Sequence, residues 1–254
     1  MPASLSTHPH PHPPLQFHIK LFILIAFAKF VDAMETAMLP LLFPVLKEAW
    51  HLKNTDLACV ACASQIGMLI GAVSVGRVSD SVGRRLPLQL SLAWLMVFGL
   101  ASAFSPNIYV FIVFRGFLGI GYGGNMVMAY TLLAEVLPTK WRGMCLAALD
   151  IFFGLGALAS TLLCWLVIPT LGWRWLVVIC ILLCLPVTVG VFFFPDSPRY
   201  QCATGQYEKC IRTLTKIAKD NKKEMPKWMT LENMKVKVLR YIPRAHALSA
   251  TRSR

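Results

Sequence analysis

Six long apolar stretches separated by short polar gaps dominate the chain: approximately Leu21 to Leu42, Leu57 to Val75, Leu86 to Phe104, Tyr109 to Leu133, Met144 to Ile168 and Trp173 to Phe194. Each has about the 20 residues that a helix needs to cross a hydrocarbon layer of ~30 Å, so the pattern predicts an all-α, polytopic membrane bundle of six helices. Gly67 and Gly71 are four apart in the second stretch, and Gly119 and Gly123 in the fourth, which gives each helix a flat face for close approach. A faint echo between LIGAVS (Leu69 to Ser74) and LGALAS (Leu155 to Ser160) fits two three-helix units in a 3+3 inverted repeat. Around the bundle (18–195) the polar pattern predicts three further segments. Residues 1–17 form a disordered arm rich in Pro and His. Residues 196–230 hold an amphipathic helix over Gln206 to Lys219, with Cys210, Ile211, Leu214, Ile217 and Ala218 on one side. Residues 231–254 are a basic, disordered tail.

Composition supports the membrane reading: 56% of the 254 residues are hydrophobic and mean hydropathy is +0.60, more apolar surface than one soluble core of this length buries. The net charge of +13 is concentrated where a topology signal would put it. From Pro195 onward there are 14 Lys and Arg against 5 acids. Arg77, Arg84, Arg85, Lys140 and Arg142 fall in the even-numbered gaps, so those gaps and both termini are expected to face the cytoplasm, with the tail against anionic lipid. No nucleic-acid recognition motif accompanies the charge. Trp50, Trp141, Trp173 and Trp175 sit at span ends, as an aromatic belt requires.

Candidate chemistry is sparse. His8, His10 and His12 alternate with prolines that resist a closed metal geometry, and Cys59 and Cys62 read as packed thiols in an apolar helix; no cofactor or metal is expected. No histidine lies within a span and no Gly-x-Ser-x-Gly elbow occurs, so an enzyme is not expected. What stands out is charge inside the membrane. The first span reads FAKFVDAMETAML, and Asp32 lies eleven residues past Leu21, roughly 16 Å at ~1.5 Å per residue and close to the midplane. Asp32 is three residues from both Lys29 and Glu35, so it can pair with Lys29 within the helix, whereas Glu35 has no cation at helical spacing. Arg115 in the fourth span and Asp150 in the fifth are further buried-charge candidates. Asp32, Glu35, Arg115 and Asp150 are therefore the predicted solute- or ion-binding residues, with Glu35 the favoured proton or cation site.

GRVSDSVGRR, between the second and third spans, sets two glycines, one acid and three arginines in a short turn, where Gly76 and Gly83 would let the backbones approach. This stretch resembles the signature loop of the major facilitator superfamily in the form Gly76, Asp80, Gly83, Arg84 and Arg85. RGFLGIG (Arg115 to Gly121), EVLPTKWRG (Glu135 to Gly143) and PDSPRY (Pro195 to Tyr200) agree in order and topology. DAME (Asp32 to Glu35) and GWRW (Gly172 to Trp175) make it most similar to the synaptic vesicle 2-related group, relatives of organic cation, organic anion and sugar porters. The resemblance spans about residues 16 to 229 and implies the N-terminal six-helix half of such a transporter. It further implies that Asp80 and Arg84, with Glu135 and Arg142, form a latch made and broken as the transporter changes its facing.

The expected function is transmembrane transport of a small solute, by self-association or with a second half. The expected partners are a small molecule or ion, the bilayer, and another copy or a full-length transporter. The alternative is a non-transporting form that associates with and modulates a full-length relative.

Overall fold

The computed structural model describes residues 16–137, 139–193 and 196–220. Those residues form α1 (Gln16–Trp50), α2 (Asn54–Val82), α3 (Arg85–Ala103), α4 (Ile108–Val136), α5 (Thr139–Leu171), α6 (Trp173–Leu182), α7 (Cys184–Phe193), α8 (Pro198–Ala203) and α9 (Tyr207–Asp220). Five stretches are long and apolar enough to cross a membrane, with α6 and α7 counting together over Trp173–Phe192. The remaining long helix, α1, is set apart by Lys29, Asp32 and Glu35. The basic tail lies outside the described residues, as does the arm apart from Gln16 and Phe17, which are already helical.

Local chemistry places the boundaries. Asn107 Oδ1 accepts from the Val110 amide at 3.0 Å and caps α4. Gly172 ends α5 with a φ of 86°, and its amide donates to the carbonyls of Val167 and Ile168. The α6–α7 break at Leu183 falls just before Pro186, which has no amide proton to offer the preceding turn. The helices outrun the predicted spans at several ends. In particular α2 continues to Val82, so Gly76 is a helical residue with open space beside it and not part of the turn.

Helix α2 packs most extensively on α4, and α1 on α5. The two contacts exchange under the symmetry of two three-helix units, since each brings the middle helix of one unit against the first helix of the other. The glycines explain how close they come. A Cβ on Gly67 or Gly71 would run into the carbonyls of Gly116 or Ile120, one on Gly119 or Gly123 into those of Ser64 or Met68, and one on Gly156 into that of Phe30. Two buried apolar clusters fill the bundle. One, containing Met38, Leu42, Phe111, Leu176 and Val177, lies toward the end where Trp50 and Trp173 meet edge to face at 5.4 Å. The other, containing Leu21, Leu92, Met128 and Leu133, lies toward the α2–α3 turn. Exposed apolar residues cover the outer faces of α2 (Ile66, Leu69, Ile70) and α5 (Leu158, Leu162, Trp165). Cys59 and Cys62 lie on the exposed side of α2, free but not packed, because α2 turns that side away from the bundle.

Helix α9 follows its predicted amphipathic pattern: Cys210 is buried, and Ile217 reaches the second core cluster. Cys202 and Cys210 form a disulfide across 5.8 Å of Cα separation, tying α8 to α9.

The close α2–α4 approach makes an internally controlled prediction. Gly71→Ala places a methyl group against backbone and should lower the unfolding midpoint of the detergent-purified chain by the equivalent of about 1–3 kcal/mol. Gly154→Ala, in open space on α5, should be neutral or stabilise by up to about 1 kcal/mol through helix propensity. Equal shifts for the two would contradict the packing described.

Candidate functional site

Helix α1 must bring three charged side chains to mid-bundle depth, and α4 supplies what they need. Lys29, Asp32 and Glu35 are 1%, 1% and 4% exposed, and Arg115 is 1% exposed, so none of them reaches solvent to discharge its field. Arg115 Nη1 donates to Glu35 Oε1 in a buried ion pair between helices, and its guanidinium lies 4.9 Å from the Phe111 ring centre. Asp32 accepts two 2.8 Å hydrogen bonds from Asn125 Nδ2, one to each oxygen, and faces Lys29 Nζ at 3.9 Å. The four charges sum to zero. That balance makes their burial tolerable, because removing any one leaves an uncompensated charge in an apolar surround.

The α1 sequence offers Glu35 no partner; the fold provides one from 80 residues away. Glu35 Oε2 and Arg115 Nε and Nη2 remain buried without hydrogen-bond partners among the described residues, so the pair keeps polar capacity in reserve. Glu35 and Arg115 also line the wall of a cavity of about 360 Å³ between α1, α2 and α4, together with Thr36, Ser64, Gln65 and Tyr122. The rest of its wall is apolar. This is the lining expected of a small-molecule site: mostly apolar, with a few convergent polar groups.

Asp150 departs from expectation. It is exposed, and accepts a 3.0 Å hydrogen bond from the Tyr130 hydroxyl of α4.

The α2–α3 turn forms a second polar centre. Arg84 donates from Nη1 to Asp80 Oδ1 at 2.7 Å and to Ser79 Oγ at 2.6 Å, and from Nε to Glu135 Oε1 at 3.1 Å. Asp80 is 72% exposed, so its pair with Arg84 is screened by solvent; Arg84 and Glu135 are 16% and 19% exposed, and theirs is the stronger link. Burial alone would lower the pKa of Arg84, but the hydrogen bonds and charges of Asp80 and Glu135 outweigh it and raise it, so the guanidinium stays charged. Arg85 reaches from Nη2 to the carbonyl of Phe192. Arg142 does not join: its Nε and Nη2 are buried without hydrogen-bond partners among the described residues. A further residue, outside the resemblance-implied latch, holds the turn. Asp196 Oδ1 accepts from the backbone amides of Arg84 at 3.0 Å, Arg85 at 3.2 Å and Ser197 at 2.8 Å. The turn is fitted to it: Gly83 has a φ of 110°, and a Cβ there would strike the Asp196 carboxylate. Tyr200 adds a 2.5 Å hydrogen bond to the Ser81 carbonyl.

Asp196→Ala should therefore strand three amides and lower stability by about 1–3 kcal/mol, read as a drop in the unfolding midpoint. Asp80→Ala should cost under about 1 kcal/mol. An Asp196→Ala chain as stable as the parent would show that the turn does not depend on this carboxylate.

Comparison with known proteins fits this architecture. The sugar (and other) transporter family model matches residues 25–246. The chain is 38% identical over 211 residues to the synaptic vesicle 2-related protein of Xenopus laevis, covering 83% of this chain and 38% of that protein. It thus spans about two fifths of the length of the curated relatives it matches. Among solved structures, the major facilitator proton:xylose symporter XylE bound to 6-bromo-6-deoxy-D-glucose superposes with a TM-score of 0.71 at 20% identity, over 79% of this chain and 50% of that one. The inward-open xylose transporter XylE from E. coli gives 0.72 at 19%, over 87% and 56%. Together with the paired glycines, the α2–α3 turn and the buried charges of α1, these matches place the chain in the sugar (and other) transporter family of the major facilitator superfamily.

Proposed function

We propose that this chain forms one six-helix unit of a secondary transporter for a small polar solute, and that the Glu35–Arg115 pair is its proton-responsive element. The observation that carries the reading is the position of that pair: a buried, neutral, interhelical ion pair in the wall of the cavity between α1, α2 and α4. Protonating Glu35 would cancel the anion and leave Arg115 charged in an apolar site. Breaking a buried pair in this way costs about 3–5 kcal/mol, enough to shift a conformational equilibrium by more than a hundredfold. A proton arriving at Glu35 would therefore favour a state in which α1 and α4 separate and water or solute reaches Arg115. Thr36, Ser64, Gln65 and Tyr122 around the cavity suit a solute with several hydroxyl or amide groups.

The α2–α3 turn serves in this reading as the latch, with Arg84 held by Asp80 and Glu135 and the backbone locked by Asp196. The charge pattern of the even-numbered gaps supports a cytoplasmic position for it. The exposed apolar faces of α2 and α5 support a second six-helix unit, from the same product or another chain, as the opposite wall of the cavity. They equally suit the second reading, in which this unit pairs with a full-length relative and modulates it without transporting.

Proteoliposome uptake separates the two. With an inward proton gradient, the reconstituted chain should show saturable uptake of a small polyhydroxylated solute, and Glu35→Gln should reduce it at least tenfold. A monomeric chain with no flux would end the reading in which copies of this chain transport by themselves, in favour of the modulatory one.

A further inference from the structure

Lys29 is not used by the cavity or by the latch, yet it is one of the most completely buried side chains in the molecule. A lysine this deep normally extends its stem toward the membrane surface to hydrate the ammonium group. Here it stays inside. Its Nζ lies 3.9 Å from Asp32 Oδ2, 4.8 Å from the centre of the Tyr130 ring and 5.6 Å from the centre of the Phe153 ring. One carboxylate and two aromatic faces around a positive nitrogen are the groups that bind a free alkylammonium ion, through charge on one side and ring quadrupoles on the others. The carboxylate is fixed, because Asn125 donates to both of its oxygens. The Tyr130 ring is fixed as well, since its hydroxyl is held by Asp150.

We propose that Asp32, Asn125, Tyr130 and Phe153 constitute an ammonium site, and that Lys29 occupies it as a built-in ligand. Its ligand class is the small primary ammonium ion. While Lys29 is present the site is filled, so Asp32 is not open to an organic cation. This consequence for the solute rests on the transport reading, and it assigns small amine cations to the excluded class. Shortening Lys29 should leave a seat of about the right size and charge for methylammonium.

The test measures thermal unfolding of the detergent-purified chain, at matched ionic strength, with methylammonium chloride or with sodium chloride plus methanol. The parent chain should respond to neither. Lys29→Ala should unfold at a lower temperature, and methylammonium should restore the midpoint in a dose-dependent, saturable way that methanol does not reproduce. Lys29→Leu keeps more of the packing and should show the same selective response. The response should vanish in Lys29→Leu combined with Asp32→Asn. If neither single variant can be purified, membrane yield from cells grown with or without methylammonium replaces the midpoint, with the same two readings. The proposal is overturned if the shortened variants show no selective response, if the parent responds equally, or if the response survives loss of Asp32. Unfolding needs no flux, so an amine response without transport would overturn only the transport reading. Saturable, Glu35-dependent uptake without an amine response would overturn only this one.

Discussion

Four charges that cannot reach water must cancel one another inside the bundle, and the arrangement of α1 against α4 follows from that requirement. Glu35 with Arg115, and Asp32 with Lys29 and Asn125, satisfy it in two stacked sets about one helical turn apart. Apolar packing holds α1 beside α5, where Gly156 meets the backbone of Phe30. The polar stripe reinforces the rotation of α1, since a helix turned by half a circle would leave its carboxylates facing hydrocarbon. Charge here contributes specificity more than net stability, because a well-packed apolar replacement for a buried ion pair is often no less stable.

The two ends of the bundle are held by different interactions. At one end aromatic rings close the helices: Trp50, Phe111 and Trp173 meet edge to face. At the other the α2–α3 turn is held by hydrogen bonds, with Arg84 clasping Glu135 from α4 and Asp196 taking the amides of Arg84 and Arg85. Rings give a broad contact that changes gradually as helices tilt. A turn held by a few directed bonds depends instead on one arginine and one aspartate, and loses its hold when either is removed.

Much of the fold was legible in sequence because a bilayer imposes simple rules. Apolar runs of fixed length marked the spans, four-residue glycine spacing marked the flat faces of α2 and α4 though not that they meet each other, and the apolar side of α9 was readable from its 3.6-residue period. The Lys29–Asp32 pair was readable too, since both residues sit on one helix. What was not legible depends on contacts across the chain. Glu35 and Arg115 are 80 residues apart and Arg84 and Asp196 are 112 apart, separations at which no periodicity applies. Asp150 looked like a buried charge because it lies in an apolar run, but the run does not say which of its positions the neighbouring helices cover. Gly76 looked like part of a turn because glycines favour turns; α2 simply continues past it. Asn125 carried a usable signal, as a polar residue inside an apolar span.

The central claim is that Glu35 and Arg115 act as one unit, and a double-mutant cycle on thermal unfolding tests it most directly. Glu35→Gln and Arg115→Gln should each destabilise the purified chain, and the double variant should recover much of the loss, with a coupling of about 1–3 kcal/mol. Losses that simply add would mean the two side chains do not depend on each other, and would contradict the account.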